Sequence, residues 1–214
     1  MYESQTKLAE DVAKLLLQIK AIKLSPQNPF TWASGISSPI YCDNRVSLSF
    51  PSVRDIISNG LSRLISNHLP IDAIAGVATA GIPHGAIAAY RLGLPFVYVR
   101  DKAKSHGRNN QIEGYLPENS KVVMVEDLIS TGGSSLKAAD ALISQGHEVI
   151  AVIAIFSYQL PEAIANFSKA GIPYFTITNY DILIKVAEYI GYITPHDLDT
   201  LEDWKNDPQS WHPS

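Results

Sequence analysis

Two carboxylates, Glu126 and Asp127, stand directly ahead of Leu128, Ile129, Ser130, Thr131, Gly132, Gly133 and Ser134. An apolar run, "KVVMV", delivers the acids, and a helix-like stretch follows the glycines. Glycines let backbone N–H groups converge on an anion, and the start of a helix adds a positive dipole end. The hydroxyls of Ser130, Thr131 and Ser134 supply further donors. Two carboxylates beside a phosphate alone would repel it. They make chemical sense if they accept hydrogen bonds from adjacent hydroxyls, as on a ribose ring. A ribose carrying a 5-phosphate satisfies both halves of the motif. The alternative is a strand end with two solvated acids and a helix cap. The loop is not a Walker sequence, since no Gly-Lys-Ser/Thr follows, and "GVATAG" (76–81) continues with Ile-Pro. A G-x-G-x-x-G fingerprint is also absent.

A second stretch has the opposite charge. Arg100, Lys102, Lys104 and Arg108 face only Asp101 across residues 100–108, with His106 among them. Few apolar residues could tie this segment to a core. It reads as a mobile loop, 100–114, that closes over a polyanion. Cations at a leaving pyrophosphate would stabilise developing charge, and closure would keep water from a reactive sugar cation. The competing reading is a solvated basic loop.

These residues need a frame that brings them together. From about Val53 the chain alternates helix-like and strand-like segments. Val53–Ile65 has helical spacing, and "IDAIAGV" reads as a buried strand. "IPHGAIAAYRLG" reads as a helix with Pro83 in its first turn and Gly93 near its end. "PFVYVR", "KVVMVE", "EVIAVIAIF" and "PYFTIT" read as strands, with helices over "SSLKAADALISQG" and "DILIKVAEYIGYI". Near-continuous apolar strands between helices predict an α/β fold whose mostly parallel sheet carries helices on both faces. Three loops would then meet at the carboxyl edge, 78–83, 100–114 and 126–134, where open sheets bind ligands. Residues 1–50 read as an amphipathic helix and a small hood outside the main core, 51–193 as the core, and 194–214 as a tail. Leu8, Val12, Leu15, Leu16 and Ile19 share one face of the first helix.

Composition narrows the class. The 214 residues are 46% hydrophobic and 18% charged, an ordinary composition for a folded domain. The net charge of −4 argues against nucleic acid as a partner. The single cysteine, Cys42, excludes an internal disulfide, and His147, His196 and His212 lack metal-ligand spacing. Cys42 reads as a packed small residue, His84 as structural or exposed, and Trp204 and Trp211 as anchors of the tail. No run suits a membrane span, and the first residues are too charged for a signal peptide, so a cytoplasmic setting is expected.

"VVMVEDLISTGGSS" resembles the phosphoribosyl-pyrophosphate signature of the type I phosphoribosyltransferases. Within them, "VRDKAKSHG" resembles the catalytic loop of the orotate phosphoribosyltransferase family, and "FTWASGISSPIYCDNR" (30–45) its N-terminal hood. "GVATAGIPHGA" (76–86) fits the strand-loop between them. The four motifs run in order from about Phe30 to Phe156. The resemblance implies transfer of a 5-phosphoribosyl group from phosphoribosyl pyrophosphate to orotate, a step in the synthesis of UMP. It implies Mg2+ as cofactor, no protein metal ligands, and a homodimer with shared active sites. Arg100, Lys104 and His106 would contact the pyrophosphate, partly from the neighbouring subunit, and Asp127 would act with them in catalysis. Residues Glu126 to Ser134 would hold the phosphoribosyl part, with Ser130 near orotate. The chain departs from some members of the family at Asp101, at Thr79-Ala80, at Ala33, at Tyr41-Cys42 and around Phe156–Tyr158, where an arginine holds orotate in those members. Another acceptor base, or a regulator that only senses phosphoribosyl pyrophosphate, are the other readings; a binding-only protein would show affinity without turnover.

Overall fold

Alternation along the longest strands decides which helices cover which face of the sheet. The computed structural model describes residues 5–32, 35–101 and 111–211. In chain order these form α1 (Gln5–Gln18), β1 (Ile22–Leu24), β2 (Phe30–Thr31), β3 (Ser37–Ser38), β4 (Ile40–Cys42) and a 3-10 helix (Asn44–Ser49). Next come α2 (Pro51–Ser66), β5 (Ala73–Val77), α3 (Gly81–Leu92), β6 (Phe96–Val99), β7 (Ile112–Glu113) and β8 (Lys121–Ile129). The chain continues with α4 (Gly133–Ile143), β9 (Glu148–Ser157), α5 (Pro161–Ala170), β10 (Tyr174–Asn179), α6 (Tyr180–Tyr189) and α7 (Pro195–Asn206).

Six strands form one sheet in the order β10-β9-β8-β5-β6-β7. Every neighbouring pair is parallel except β6 with the short edge strand β7. Along β8, Val123 and Val125 join a core with Val12 of α1, Ile57 of α2, Ala88 of α3 and Leu183 of α6. Val122 and Met124 point the other way, into a core with Ala138 and Leu142 of α4 and Phe167 of α5. This period of two explains why the central strands are apolar at nearly every position. The expected α/β architecture with both faces covered is the one observed.

The structure adds detail to three parts of the sequence reading. Helix α1 packs into the larger core: Val12, Ala13, Leu16 and Leu17 are buried there, while Leu8, Leu15 and Ile19 lie at its margin. The small residues Ala9 and Ala13 let α1 settle closely, rotating its buried face from the expected stripe. The tail is likewise integrated. Thr194 and Asp197 form a capping box that starts α7, and Leu201 and Trp204 are fully buried. The Trp204 indole donates to the Ser37 carbonyl at 3.1 Å, which ties the tail to the hood. Finally, the 100–114 segment ends in β7, where Ile112 is buried and pairs with Val99. Among the described residues no helix is long and apolar enough to cross a membrane.

His84 on α3 is 1% exposed, and its Nε2 has no hydrogen-bond partner. Burial lowers its pKa to about 4, so the folded chain holds a neutral imidazole. A depressed histidine contributes stability above pH 6.5 that is lost as pH falls toward 4, because the unfolded chain binds the proton first. Between pH 7 and 5 this contribution should fall by about 2 kcal/mol. Urea unfolding of the native chain and of His84→Gln at both pH values checks it. The difference between the two proteins should change with pH by about that amount, and parallel behaviour would remove the assignment.

Candidate active site

The site begins where β8 outlives its neighbour. Strand β5 last pairs with it at Gly76–Val125. Beyond that point β8 continues through Glu126, Leu128 and Ile129, paired only with Ala154, Phe156 and Ser157 of β9. The acidic pair therefore sits in strand, not in a loop, and the connection to α4 is only Ser130–Gly132. One edge of β8 is left open there. Across the gap lie Ala78, Thr79 and Ala80, and together with Glu126, Asp127, Leu128 and Ser130–Ser134 they line a cleft of about 290 Å³.

Close backbone approach shapes this cleft. A Cβ on Gly81 would stand 2.3 Å from the Val125 carbonyl oxygen and 3.2 Å from Glu126 Cα, so only glycine lets the start of α3 meet β8. Gly132 has φ of +81°, and a Cβ there would come within 2.5 Å of the Phe167 ring. Gly132 caps α4, whose first N–H groups have no intrahelical acceptors, and Gly132, Gly133 and Ser134 line the cleft. Asn166 of α5 donates to the Thr131 carbonyl at 3.0 Å and fixes the turn from behind.

The two acids differ. Glu126 is 5% exposed; its Oε1 accepts from the Asp127 N–H at 3.0 Å and its Oε2 from the Ser135 hydroxyl at 3.3 Å. Burial, reinforced by the charge of Asp127, pushes its carboxyl well above the usual range. Asp127 is half-buried, and its pKa is raised first by desolvation, with Glu126 and Arg45 opposing. Its carbonyl accepts from Asn44 at 2.8 Å, linking the hood to the site. Arg45 is engaged with Asp43 through two hydrogen bonds of 2.7 and 2.9 Å.

A second cleft of about 300 Å³ adjoins the first and shares Leu128 and Ser130 with it. Thr31, Trp32, Tyr41, Cys42 and Tyr158 complete its wall. These are aromatic and uncharged residues, suited to a planar heterocycle. Burial raises the Cys42 thiol well above its ordinary value, with the Asp127 charge adding, which fits a packed small residue better than a nucleophile.

Most expected site residues meet here: Glu126, Asp127, Leu128, Ser130, Thr131, Gly132, Gly133 and Ser134 all line the first cleft. Ile129 does not; at 1% exposure its side chain belongs to the α4–α5 core, since alternation turns it inward. Arg100 lies farther along the edge in a smaller cavity with Ser134 and Lys137. Its guanidinium is 3.4 Å from Glu113, and the neighbouring Asp101 pairs with Lys137 at 2.7 Å. Lys104 and His106 lie outside the described residues. Ser135, the last residue of the quoted motif, and Asn44 are not among the expected site residues; Tyr158 falls in the stretch Phe156–Tyr158 where the family resemblance marks a departure at an orotate contact, and it lines the second cleft. Among the described residues no group of three His, Cys, Asp or Glu side chains could hold a metal.

A model of the phosphoribosyl transferase domain matches residues 52–178. An orotate phosphoribosyltransferase of Cutibacterium acnes is 54% identical over 212 residues, covering 99% of this chain and 98% of that one. This chain belongs to the orotate phosphoribosyltransferases. The orotate phosphoribosyltransferase of Streptococcus pneumoniae is 54% identical over 95% of this chain and 98% of its own. Among solved structures, orotate phosphoribosyltransferase from Aeropyrum pernix covers 86% of this chain and 99% of its own, with 29% identity and a TM-score of 0.74. Leishmania donovani UMP synthase aligns with a TM-score of 0.78 and 25% identity over 92% of this chain, which spans 42% of that longer protein. As an orotate phosphoribosyltransferase, the chain presents one cleft of acids and glycines and one of aromatics, joined at Leu128 and Ser130.

Proposed function

We propose that the chain transfers a 5-phosphoribosyl group from phosphoribosyl pyrophosphate to orotate, giving orotidine 5-phosphate and pyrophosphate. The observation that carries this reading is the pair of adjoining clefts, one suited to a ribose phosphate and one to a flat base. The turn 130–133 and the start of α4 receive the 5-phosphate. Asp127, the more accessible acid, accepts hydrogen bonds from the ribose hydroxyls, while Glu126 supports it from behind. C1 of the sugar would pass through a cation-like state at the shared wall, with the ionised Asp127 offsetting its charge. Orotate is itself an anion, so little base catalysis is needed.

Arg100, Lys104 and His106 would neutralise the leaving pyrophosphate, partly across a homodimer. No cluster of three acidic or histidine side chains among the described residues could hold a metal by itself, so Mg2+ would be held beside Asp127 with the help of the substrate's oxygens and would neutralise charge on the leaving group. A cytoplasmic location suits a chain with one free thiol.

The test follows the ultraviolet absorbance of orotate with phosphoribosyl pyrophosphate and magnesium present. Loss of the signal only with all three supports the reading. No loss, with phosphoribosyl pyrophosphate binding intact by calorimetry, would replace orotate with another base or turnover with sensing.

A further inference from the structure

The second cleft has to accept an anion, yet none of the described residues lining it is charged. Arg45, the nearby cation in the hood, is engaged by Asp43. What the cleft offers instead is a phenol. Tyr158 is 2% exposed and follows directly on the end of β9. Its ring is fixed on three sides, 5.1 Å from Trp32, 5.4 Å from Phe156 and 5.8 Å from Trp204. Its backbone N–H donates to the Ile129 carbonyl at 3.1 Å, which sets the side chain against the end of β8. Among the described residues its hydroxyl has no hydrogen-bond partner, and it is not one of the fully buried unpartnered groups, so it is open to a ligand in the cleft. The contrast within the same aromatic cluster is informative: the Tyr180 hydroxyl donates to Leu201 and the Trp204 indole to Ser37.

We infer that Tyr158 is the specificity-determining residue for the acceptor base, its hydroxyl donating a hydrogen bond to the carboxylate of orotate. This rests on the reading of the second cleft as the base site. An ionised acceptor strengthens the bond made by a neutral donor, and a donor already fixed by packing loses little freedom on binding. Burial holds the phenol well above its ordinary pKa, so it remains a donor throughout the neutral range.

Tyr158→Phe removes only the hydroxyl and keeps the ring stack. Expected is a tenfold or greater rise in KM for orotate, with KM for phosphoribosyl pyrophosphate and the thermal midpoint unchanged. Uracil, which lacks the carboxylate, serves as a competing ligand; its inhibition constant should be equal for the two proteins. A merely structural role would weaken both ligands together. An unchanged orotate KM, or equal losses for orotate and uracil, overturns the assignment. Should the variant fold poorly, Tyr158→Trp and Tyr158→Leu, read by the same orotate-to-uracil ratio, keep the question open to refutation, since both must lose the preference. Failure of the native chain to use orotate at all would count against the function itself, and is distinguishable because it precedes any variant.

Discussion

Asp127→Asn is expected to lower kcat/KM by roughly a hundredfold or more while leaving the fold at least as stable. The side chain is half-buried at the open edge of β8 and lines the cleft beside the glycine turn. Asparagine keeps its shape and removes its charge. What the reaction loses is a charged acceptor for the ribose hydroxyls and the counter-charge to a sugar cation. What the fold loses is an unfavourable neighbour of Glu126, since the charge of Asp127 opposes the ionisation of that carboxyl. The pH dependence separates the two effects. Both carboxyl groups titrate above their ordinary values of 4.5 and 3.8, so the folded chain binds protons more tightly than the unfolded one. Their contribution to stability is therefore present at low pH and lost as pH rises through that window. In the variant this fall should be shallower. Steady-state kinetics at saturating orotate, with urea unfolding between pH 4 and 7, gives both numbers. Retained turnover would remove Asp127 from the mechanism.

Gly81→Ala is expected to damage stability more than any other single methyl group discussed. The new Cβ would meet main-chain atoms, the Val125 oxygen at 2.3 Å and Glu126 Cα at 3.2 Å, and neither can swing aside as a side chain could. Helix α3 would have to lift from β8, opening the packing of Ala88 and Ala89 behind it. A loss of about 3 kcal/mol is reasonable for such overpacking, equivalent to roughly 10 °C in the melting temperature of a chain this size. Activity should fall as well, because Ala78–Ala80 face the acids across the cleft that this contact spaces. Calorimetric melting is the direct check. A midpoint within 2 °C of the native protein would show that the helix adjusts freely.

Local pattern reached some of this and not the rest. The run "KVVMVE" announces a strand buried on both faces because the four residues from Val122 to Val125 are all apolar, and the glycines mark the turn that follows. What pattern could not show is where a strand stops. Glu126 and Asp127 read as the end of a buried strand, yet β9 continues to pair with β8 as far as Ile129 after β5 has turned away. Helix α1 is legible from its apolar face, but that face is buried against α6, more than 160 residues later, which local pattern does not reveal. The base-side cleft is the clearest case. Trp32 and Tyr158 meet only in three dimensions, and the hood motif marks one wall of that cleft without indicating the other.

The two clefts are made of different material. The phosphoribosyl half is written largely in main chain: a strand that overruns its neighbour, a turn at φ +81°, and a helix start held against β8 by a glycine. The base half is written largely in side chains, from the hood, the end of β8 and the residue that follows β9. Substitutions therefore meet unequal constraints. Those that redirect the acceptor can accumulate one at a time on a wall that tolerates them, whereas the donor half can change only if the sheet changes with it. A fold divided in this way is suited to being re-addressed to other bases while its sugar-phosphate chemistry stays still.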